Sequence, residues 1–596
     1  MSAPLQPCLP ATGRAPSHAV SAAQKSAHGR TADRRSAPVS EIMSMPTHIR
    51  HLAALTAIGV LAATATAAEA LTYVLTPRPA DGRLDVELSW QTQGRSQSAL
   101  CVSERWGAAN DIVRLLENVQ LSGAALAGRE GPCWLLAHRP NALVQCRYSV
   151  TAGRRELDWD AVHLPVTTAG FFHGVGNTFL LAPRPGQDTP QEYEVALRWQ
   201  VPENWMAVCS WAVGRHVGAL LKVDDLRHSV YLAGRLSSAR AAISEKADVT
   251  VAVAGSTGFS VEDFAELAAG IIGAQCKFMA DPDFPPFVVT AITVSEPLEA
   301  GRTRLVGTGL YRSFALFISP QTGLNDGVEH LFAHENFHYW NGRLLRADEP
   351  QGLVMWFTEG LTDYYALRIL YESRHWSAEQ YAQWINRHLR EYDANPARNA
   401  TNEEIQAGFW RQRETLGEVP YQRGLLLGLR WHCLARQQGV DAGLDRLFKE
   451  LVTRGRREGL KLTNSVIRRT GVELLGQWFA EEFDRFVERA ETVIVPADAL
   501  GREFVGRQQA VYAFELGFER EESLKKQRVS GLRTGSAAAK AGLRDGDELI
   551  GWHIPADSNQ KVVLDVLRRG KVIKIAYYPR GERREILQFR PARPQK

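Results

Sequence analysis

"HENFHYWNG", residues 334–342, contains two histidines four positions apart and a glutamate directly after the first. It lies within "GVEHLFAHENFHYW" (residues 327–340), where apolar residues recur at the three- and four-residue spacing of an amphipathic helix. Residues four apart lie on one face of a helix, so His334 and His338 can point at the same cation. Glu335 is rotated away from that cation but can reach a water molecule bound to it. The stretch therefore predicts a metal-binding helix.

A second apolar stretch supplies the acids that such a site needs. Catalytic zinc sites take three protein ligands and leave one position open. "WFTEGLTDYY", residues 356–365, again has helical periodicity, and it contains Glu359 as the candidate third ligand. Asp363 follows on the same helix face, where a carboxylate can accept the other ring N–H of a ligand histidine. H-E-x-x-H alone also occurs on surface helices with a salt bridge, but unpaired acids are costly inside apolar helices, so the joint pattern favours a metal centre.

With "VPYQRG" (residues 419–424), these motifs resemble the glycyl aminopeptidase family of gluzincin zinc metallopeptidases. The resemblance covers roughly residues 71–596. It implies an N-terminal β domain, a thermolysin-like catalytic domain and a C-terminal PDZ domain, with zinc as cofactor and a peptide or protein as substrate. The implied zinc ligands are His334, His338 and Glu359.

The same resemblance gives two residues roles in the reaction. Glu335 would be the general base that takes a proton from the metal-bound water, whose pKa falls from about 15.7 toward about 7 on zinc. Tyr421 matches the tyrosine that hydrogen-bonds the developing oxyanion, and one such donor is worth about 3–4 kcal/mol. Outside the family, Tyr421 would be interpreted as a buried tyrosine with a satisfied hydroxyl group.

One position departs from the family pattern. The family tends to carry a G-G-L-E-H-type edge strand before the zinc helix, and its glutamate is suited to hold a free α-amino group. This chain has "GTGLYRSFAL" at residues 307–316, with Tyr311 in the place of that acid. Either another acid holds the amine, with Glu329 and Glu349 as candidates, or the amine is not held and N-blocked peptides are cut as well as free ones.

The sequence thus favours a zinc-dependent peptidase that is aminopeptidase-like on small N-terminal residues such as Gly or Ala. One alternative is a zinc endopeptidase. The other is a catalytically silent, PDZ-containing protein that binds peptides and keeps zinc for structure. The presence of both Glu335 and Tyr421 favours the catalytic interpretations.

The pattern of apolar residues predicts a multidomain chain. Residues 71–240 read as an N-terminal β-sandwich-like domain, because short alternating segments such as "LDVELSW" are separated by Pro, Gly, Asn and Asp. Residues 241–500 contain strands followed by a helical block, which is the pattern of an α+β domain and corresponds to the metallopeptidase catalytic domain.

Residues 501–596 turn β-rich again, and by resemblance form the PDZ domain. "FELGFE" (514–519) resembles the carboxylate-binding loop of PDZ domains, with Leu516, Gly517 and Phe518 lining it, and such a domain could take a C-terminal peptide as ligand. "VIKIAYYPRGERREILQF" (572–589) predicts a hairpin. The alternative is another small β domain with glycine turns.

The amino-terminal segments differ from the rest in composition. Residues 1–42 are rich in Ala, Ser, Pro and Arg, which predicts a disordered leader or an artefact of the assigned start, with translation beginning at Met43 or Met45. Residues 43–70 have the layout of a secretory signal, with an A-x-A site ending at Ala70. The alternatives are a membrane anchor or a buried helix. We therefore expect an exported protein, periplasmic or secreted, with no stable membrane span once the signal is removed.

Charge and cysteine content narrow the function classes further. The formal net charge is only +4, and no basic run is interleaved with aromatic residues, so no nucleic-acid partner is expected. No C-x-x-C pair is present, which argues against a cysteine zinc site. Cys101, Cys133 and Cys146 could form a disulfide in an oxidising compartment or remain buried thiols.

Overall fold

A computed structural model describes residues 69–592, except residues 108, 153, 155, 160, 187–191, 296–302 and 556. The predicted leader (1–42) and almost all of the predicted signal (43–70) lie outside the described residues. The last two residues of that signal, Glu69 and Ala70, begin the first strand. Glu69 is buried and accepts hydrogen bonds from Trp90 Nε1 (3.0 Å) and the Gln93 backbone N–H (3.0 Å). The last two residues of the predicted signal are therefore part of a β-strand in the described structure.

The N-terminal domain is built from strands, several of which alternate between buried and more exposed residues. Its elements are β1 (Glu69–Arg78), β2 (Arg83–Gln91), β3 (Gln97–Cys101), β4 (Arg105–Trp106), β5 (Ala109–Asn110), β6 (Leu116–Ser122), β7 (Ala125–Glu130), β8 (Cys133–Ala137), β9 (Leu143–Val150), β10 (Val166–Thr167), β11 (Phe171–Val175), β12 (Ala182–Pro183), β13 (Tyr193–Trp199), β14 (Met206–Cys209), β15 (Ala212–Val213), β16 (His216–Leu221), the short helix α1 (Val223–Arg227) and β17 (Val230–Gly234). In β13 every second residue is buried, as expected when one face of a strand packs on a core.

These strands form three main sheets, in the orders β16-β13-β1-β2-β9-β6, β10-β11-β17-β14-β15 and β12-β3-β8-β7. Their inner faces enclose an aromatic core that includes Tyr73, Trp90, Phe172 and Trp199. The predicted β-rich N-terminal region is therefore confirmed. A disulfide links Cys101 and Cys133 across the antiparallel pair β3–β8, and Cys146 is a buried free thiol.

The central domain begins with a mixed sheet, four residues before the predicted boundary at 241. The sheet and its first helix comprise β18 (Ser237–Ala242), β19 (Asp248–Ala254), α2 (Val261–Met279), β20 (Phe287–Thr293), β21 (Leu305–Leu310) and β22 (Ser313–Ile318). The strand order is β18-β19-β20-β22-β21, which leaves β21 at the edge of the sheet.

A helical block follows the sheet, as the sequence predicts. It comprises α3 (Asp326–Phe337), β23 (Arg346–Ala347), α4 (Gln351–Thr358), α5 (Gly360–Glu372), α6 (Ala378–Ala394), α7 (Asn402–Gly408), α8 (Val419–Gln437), α9 (Gly443–Glu458), β24 (Lys461–Leu462), α10 (Asn464–Leu475) and α11 (Trp478–Phe483). The sheet and the helices share one large core that contains Phe314, Phe332, Tyr365 and Phe448. No helix in the described part of the chain combines the length and apolar character that crossing a membrane requires.

The C-terminal segment divides between two sheets. Its elements are β25 (Phe504–Phe514), α12 (Arg520–Lys526), α13 (Ala537–Lys540), β26 (Glu548–His553), β27 (Val562–Arg568), β28 (Lys571–Tyr577) and β29 (Arg580–Pro591). β29 pairs with β25, and this ribbon packs on α6 through Asn386, which exchanges two hydrogen bonds of 2.7 Å with the Phe589 backbone. β26, β27 and β28 form a separate sheet with its own small core.

The hairpin predicted at residues 572–589 is wrong. β28 pairs with β27 across Arg569 and Gly570, whose φ angles of 52° and 75° suit a two-residue hairpin turn. The predicted loop residues Leu516 and Phe518 are buried in the core of the small sheet, and Gly517 has φ 87°. The loop continues into α12 rather than into a strand, and a PDZ assignment stays a prediction.

Candidate metal centre

The helix α3 brings its polar residues into the interior because its apolar face is anchored in the core. Asn325 caps its N-terminus by accepting hydrogen bonds from the backbone N–H groups of Gly327 (3.0 Å) and Val328 (3.2 Å). Phe332 and Phe337 are fully buried. With the helix fixed in this way, His334, Glu335 and His338 are all at most 3% exposed.

Two ring nitrogen atoms and one carboxylate oxygen atom, from two segments of the chain, lie close together beside α3. His334 Nε2 lies 3.1 Å from His338 Nε2, and each of the two lies 3.4 Å from Glu359 Oε2. Ligands at zinc-bond lengths of about 2.0–2.1 Å in a tetrahedron are separated by roughly 3.3–3.4 Å. Glu359 Oε2 is buried and has no hydrogen-bond partner among the described residues. The donor set and its spacing therefore fit a zinc-sized cation.

Each histidine is oriented by a hydrogen bond from its other ring nitrogen. His334 Nδ1 donates to Asp363 Oδ1 at 2.7 Å, and His338 Nδ1 donates to the Asn341 carbonyl at 3.1 Å. Both bonds leave Nε2 with its lone pair facing the cluster. The Asn341 amide donates in turn to the Phe357 carbonyl (2.9 Å) and to Thr362 Oγ1 (3.0 Å), which ties the segment after α3 to the junction of α4 and α5.

His330 and Asn341 are site residues that the sequence analysis missed. His330 Nε2 donates to the same Asp363 Oδ1, at 2.9 Å, and its ring lies 4.6 Å from that of Trp384. His330, His334 and Asp363 form a second group that could hold a metal. Separations of 2.7 and 2.9 Å are hydrogen-bond lengths, however, and Asp363 already accepts both N–H groups. The spacing signal for His330 was available, since it lies one turn before His334.

The histidines of the cluster favour the ionised form of its two buried carboxyl groups, Glu359 and Asp363. Burial alone would raise the pKa of Glu359, but the neighbouring His338 and His334 outweigh it and lower that pKa to about 2. Burial likewise opposes ionisation of Asp363, and the two histidines that donate to it hold its pKa well below the usual range. Both groups are therefore carboxylates at neutral pH, ready to face a cation.

Glu335 lies beside this cluster with one oxygen fixed and the other unpaired. The Gly309 backbone N–H, at the end of the edge strand β21, donates to Glu335 Oε2 at 2.7 Å. A Cβ at position 309 would come within 3.0 Å of that oxygen, so the glycine makes room for the close approach. Oε1 is buried without a hydrogen-bond partner in the described part of the chain. Glu335, His338 and Glu359 line a cavity of about 800 Å³.

Tyr421 reaches the cluster because α8 packs unusually close to α4 and α5. A Cβ on Gly424 would overlap the carbonyl oxygen of Trp356, so only glycine allows this approach. Arg423 is fully buried and donates to the Arg398 carbonyl at 3.0 Å, which fixes the start of the helix. The Tyr421 ring then lies stacked on that of His334, with ring centroids 6.1 Å apart.

The position of the expected amine-binding acid is filled by an aromatic ring and a paired cation. Tyr311 is buried, and the Arg343 guanidinium lies 4.3 Å from its ring centroid. Arg343 Nη2 in turn contacts Asp225 Oδ1 of the β domain at 2.6 Å. Glu329, one candidate for the missing acid, is not among the described residues that line the cavity, and it accepts a hydrogen bond from Trp376 Nε1 at 2.6 Å. Glu349 does line the cavity.

Comparison with known proteins confirms the family resemblance. Residues 328–415, which include the two histidines and both acids of the cluster, match the family model of the M61 glycyl aminopeptidase. None of the curated proteins compared with this chain matches it. An aminopeptidase N family protein from Idiomarina loihiensis has a similar fold, with a TM-score of 0.62, 16% identity, and coverage of 88% of this chain and 98% of that one. An M1 zinc metallopeptidase from Deinococcus radiodurans gives a TM-score of 0.46 at 14% identity, over 72% of this chain and 94% of that one.

Proposed function

We propose that this protein is a zinc-dependent peptidase, aminopeptidase-like on peptides that begin with small residues such as Gly or Ala. The observation that carries the proposal is the spacing of 3.1, 3.4 and 3.4 Å among His334 Nε2, His338 Nε2 and Glu359 Oε2, next to an unpaired carboxylate oxygen of Glu335. When bound, zinc supplies a Lewis acid and an acidified water.

Within this proposal Glu335 is the general base. Its Oε2 is held by the Gly309 N–H, so Oε1 is the oxygen left to accept a proton from the attacking water. After attack, the same oxygen returns the proton to the leaving amine. The water thus contributes its hydroxyl to the carbonyl carbon and its hydrogen to the leaving nitrogen.

Tyr421 is proposed to stabilise the tetrahedral oxyanion with its phenol O–H. Its support is the packing described above, which places the ring against His334 rather than in a remote part of the core. One such donor contributes about 2.7–4 kcal/mol to the transition state. Asp363 acts through His334 and is therefore a positioning residue.

A zinc endopeptidase is the second candidate, and a specific observation favours it. At the end of β21 a substrate meets the Tyr311 ring and the Arg343 guanidinium, while Asp225 is already paired with Arg343. A free ammonium group that loses its hydration there would lack a fixed carboxylate.

Hydrolysis of a peptide panel tests the proposal and separates the candidates. Gly- and Ala-initiated peptides, each free and N-acetylated, are incubated with the purified protein with and without a chelator, and the cleaved bonds are identified by mass spectrometry. Cleavage that stops with the chelator and returns with Zn²⁺ supports the peptidase, whereas a zinc-loaded protein that cuts none of them is a silent peptide binder. Equal kcat/KM on free and acetylated peptides indicates the endopeptidase.

Export of the chain is a separate proposal. It is supported by the Cys101–Cys133 disulfide, since such bonds persist in oxidising compartments. Fractionation of the producing cell, with the mature N-terminus determined by mass spectrometry, tests it; an uncleaved chain retained in the cytoplasm would contradict it.

A further inference from the structure

One wall of the cavity beside the metal ligands is apolar, and it begins at a metal ligand. The Glu359 backbone N–H donates to the Met355 carbonyl at 2.8 Å, so Met355 lies one helical turn before that ligand. Met355, Phe409 and Tyr421 belong to one cluster of buried apolar residues. Tyr421 packs on the ring of His334, and both Met355 and Phe409 line the cavity. The cluster therefore connects the metal ligands to the cavity wall.

Trp410 extends this apolar wall toward the solvent. It lines the same cavity, and its ring centroid lies 5.1 Å from that of Phe409. Phe409 is buried, whereas Trp410 is 61% exposed. The Arg413 guanidinium carbon lies 4.6 Å from the Phe409 ring centroid and packs against the buried ring. A large aromatic side chain that adjoins a buried cluster and keeps most of its surface in solvent can contact an apolar group of a ligand.

The segment that carries Trp410 is fixed against α4. Gln406 Oε1, on α7, accepts a hydrogen bond of 2.6 Å from the Gly352 backbone N–H at the start of α4. A Cβ at position 352 would come within 2.5 Å of the Gln406 Cα, so glycine allows this close approach of the two helices. The Phe409 N–H continues the helical pattern by donating to the Ile405 carbonyl at 2.8 Å. Helix packing therefore sets the position of Trp410 on the cavity wall.

The first residue of the proposed substrates cannot cover this wall. A Gly or Ala at the amino terminus carries at most one methyl group, whereas the cavity has a volume of about 800 Å³. Cavities of about 300–1,000 Å³ hold ligands much larger than one small residue. When an aminopeptidase cuts after the first residue, the following residues leave together as the remaining peptide. Their side chains are the ones available to an apolar wall.

We propose that Trp410 is a specificity-determining residue that contacts an apolar side chain at the second or third residue of the peptide, behind the cleaved bond. This rests on the proposed peptidase function and specifies its substrates as peptides in which a large apolar residue follows a small first one. The contact removes apolar surface of both groups from water, in the bound substrate and in the transition state alike. Such an interaction lowers KM and leaves kcat nearly unchanged.

Charged groups on the same cavity define the competing outcomes. Arg346 lines it from the central domain and Arg105 from the β domain. If these guanidinium groups selected the peptide, an acidic second or third residue would be preferred. Asp224 and Asp348 also line the cavity, and selection by these carboxylates would favour a basic residue instead. Peptides with Asp and Lys therefore distinguish selection by charge from selection by Trp410.

Two series of tetrapeptides test the contact. Gly-X-Ala-Ala and Gly-Ala-X-Ala, with Ala, Leu, Phe, Asp or Lys as X, are hydrolysed by the zinc-loaded wild type, Trp410→Ala, Trp410→Phe and Trp552→Ala. Trp552, in β26, is the matched control, because it is 43% exposed and is not among the described residues that line the cavity. We expect the wild type to prefer Leu or Phe over Asp and Lys about tenfold in kcat/KM in at least one series. Trp410→Ala should reduce this preference to less than about twofold through a higher KM. Trp410→Phe should keep most of it, and Trp552→Ala should resemble the wild type.

A wild type that cuts these peptides without an apolar preference, survival of that preference in Trp410→Ala, or an equal loss in Trp552→Ala would overturn the proposal. A binding measurement separates its failure from failure of the peptidase proposal. Calorimetry with the same peptides on Glu335→Gln, and on Glu335→Gln combined with Trp410→Ala, requires no turnover. Tighter binding of the Leu and Phe peptides that disappears in the double variant supports the contact even if the wild type cuts none of them. Equal binding of all the peptides by Glu335→Gln, or the same preference in both variants, refutes it.

Discussion

Replacing Glu335 by glutamine should abolish most hydrolysis without removing the metal. The Gly309 N–H donates to Glu335 Oε2 at 2.7 Å, and the glutamine carbonyl oxygen can accept the same bond. The amide nitrogen then occupies the position of Oε1, which is buried and unpaired in the described structure. An NH₂ group there donates hydrogen bonds and cannot take a proton from water.

The size of the effect follows from this single lost function. General base catalysis typically contributes a factor of about 10²–10⁴, which corresponds to about 2.7–5.5 kcal/mol in the activation free energy. The three metal-ligating atoms belong to other residues, so zinc content should remain near one per chain. A neutral amide is also less costly to bury than an unpaired carboxylate, so the melting temperature should not fall.

The assay combines kcat on a cleaved peptide, zinc content by atomic emission and thermal unfolding by circular dichroism. Glu329→Gln is the matched control, because Glu329 is an acid on the same helix that accepts a hydrogen bond from Trp376 and lies away from the cavity. Its activity should stay within about twofold of wild type. Activity retained in Glu335→Gln would refute its role as base, and loss of zinc together with activity would make Glu335 a structural residue.

Tyr421→Phe should lower kcat by about 10²–10³, with zinc content unchanged in the same metal analysis, because only the phenol O–H is removed; unchanged kcat would exclude an oxyanion role. Asp363→Ala should weaken zinc affinity about 10–100-fold in chelator competition, since His334 loses the acceptor of its Nδ1–H. His330→Ala should weaken that affinity less than Asp363→Ala, because Asp363 still holds His334; the reverse order would contradict the hydrogen-bond arrangement. Replacing both Cys101 and Cys133 by serine should lower the free energy of unfolding by about 3–4 kcal/mol for the 32-residue separation, measured by urea denaturation under oxidising conditions, and no change would contradict the loop-entropy estimate.

Local patterns predicted the parts of the fold that depend on local periodicity. The alternation in β13 and the helical spacing around His334 are recorded in the sequence itself, and the β-rich N-terminal region and helical C-terminal half follow from them. Local alternation does not show which strand pairs with which. The segments of β28 and β29 alternate equally well as one hairpin or as members of two sheets, because alternation specifies faces rather than neighbours. The turn at Arg569–Gly570 was the signal that could have corrected the error.

In the candidate site, too, local spacing predicted some residues, and tertiary contacts that the sequence does not show position the others. The separation of His334 and His338 by one helical turn made their meeting predictable, whereas Tyr421 was found only through the family motif. Its approach depends on the glycine contact between Gly424 and Trp356, which is a tertiary contact. Asn341 was missed because its role is to connect two backbone segments, and an asparagine in a sequence does not indicate which carbonyls it will meet.

The residues proposed to catalyse the reaction and some of the residues that line the cavity beside them come from different domains. The metal ligands and Glu335 belong to helices that share one core, while the opposite wall of the cavity includes residues of the β domain such as Asp225. The Arg343–Asp225 ion pair, 2.6 Å long and largely buried, joins the two parts beside Tyr311. A glutamate in place of Tyr311 would have to compete with Asp225 for Arg343 before it could hold an amine. An acid at position 311 alone is therefore insufficient to create an amine site next to the metal.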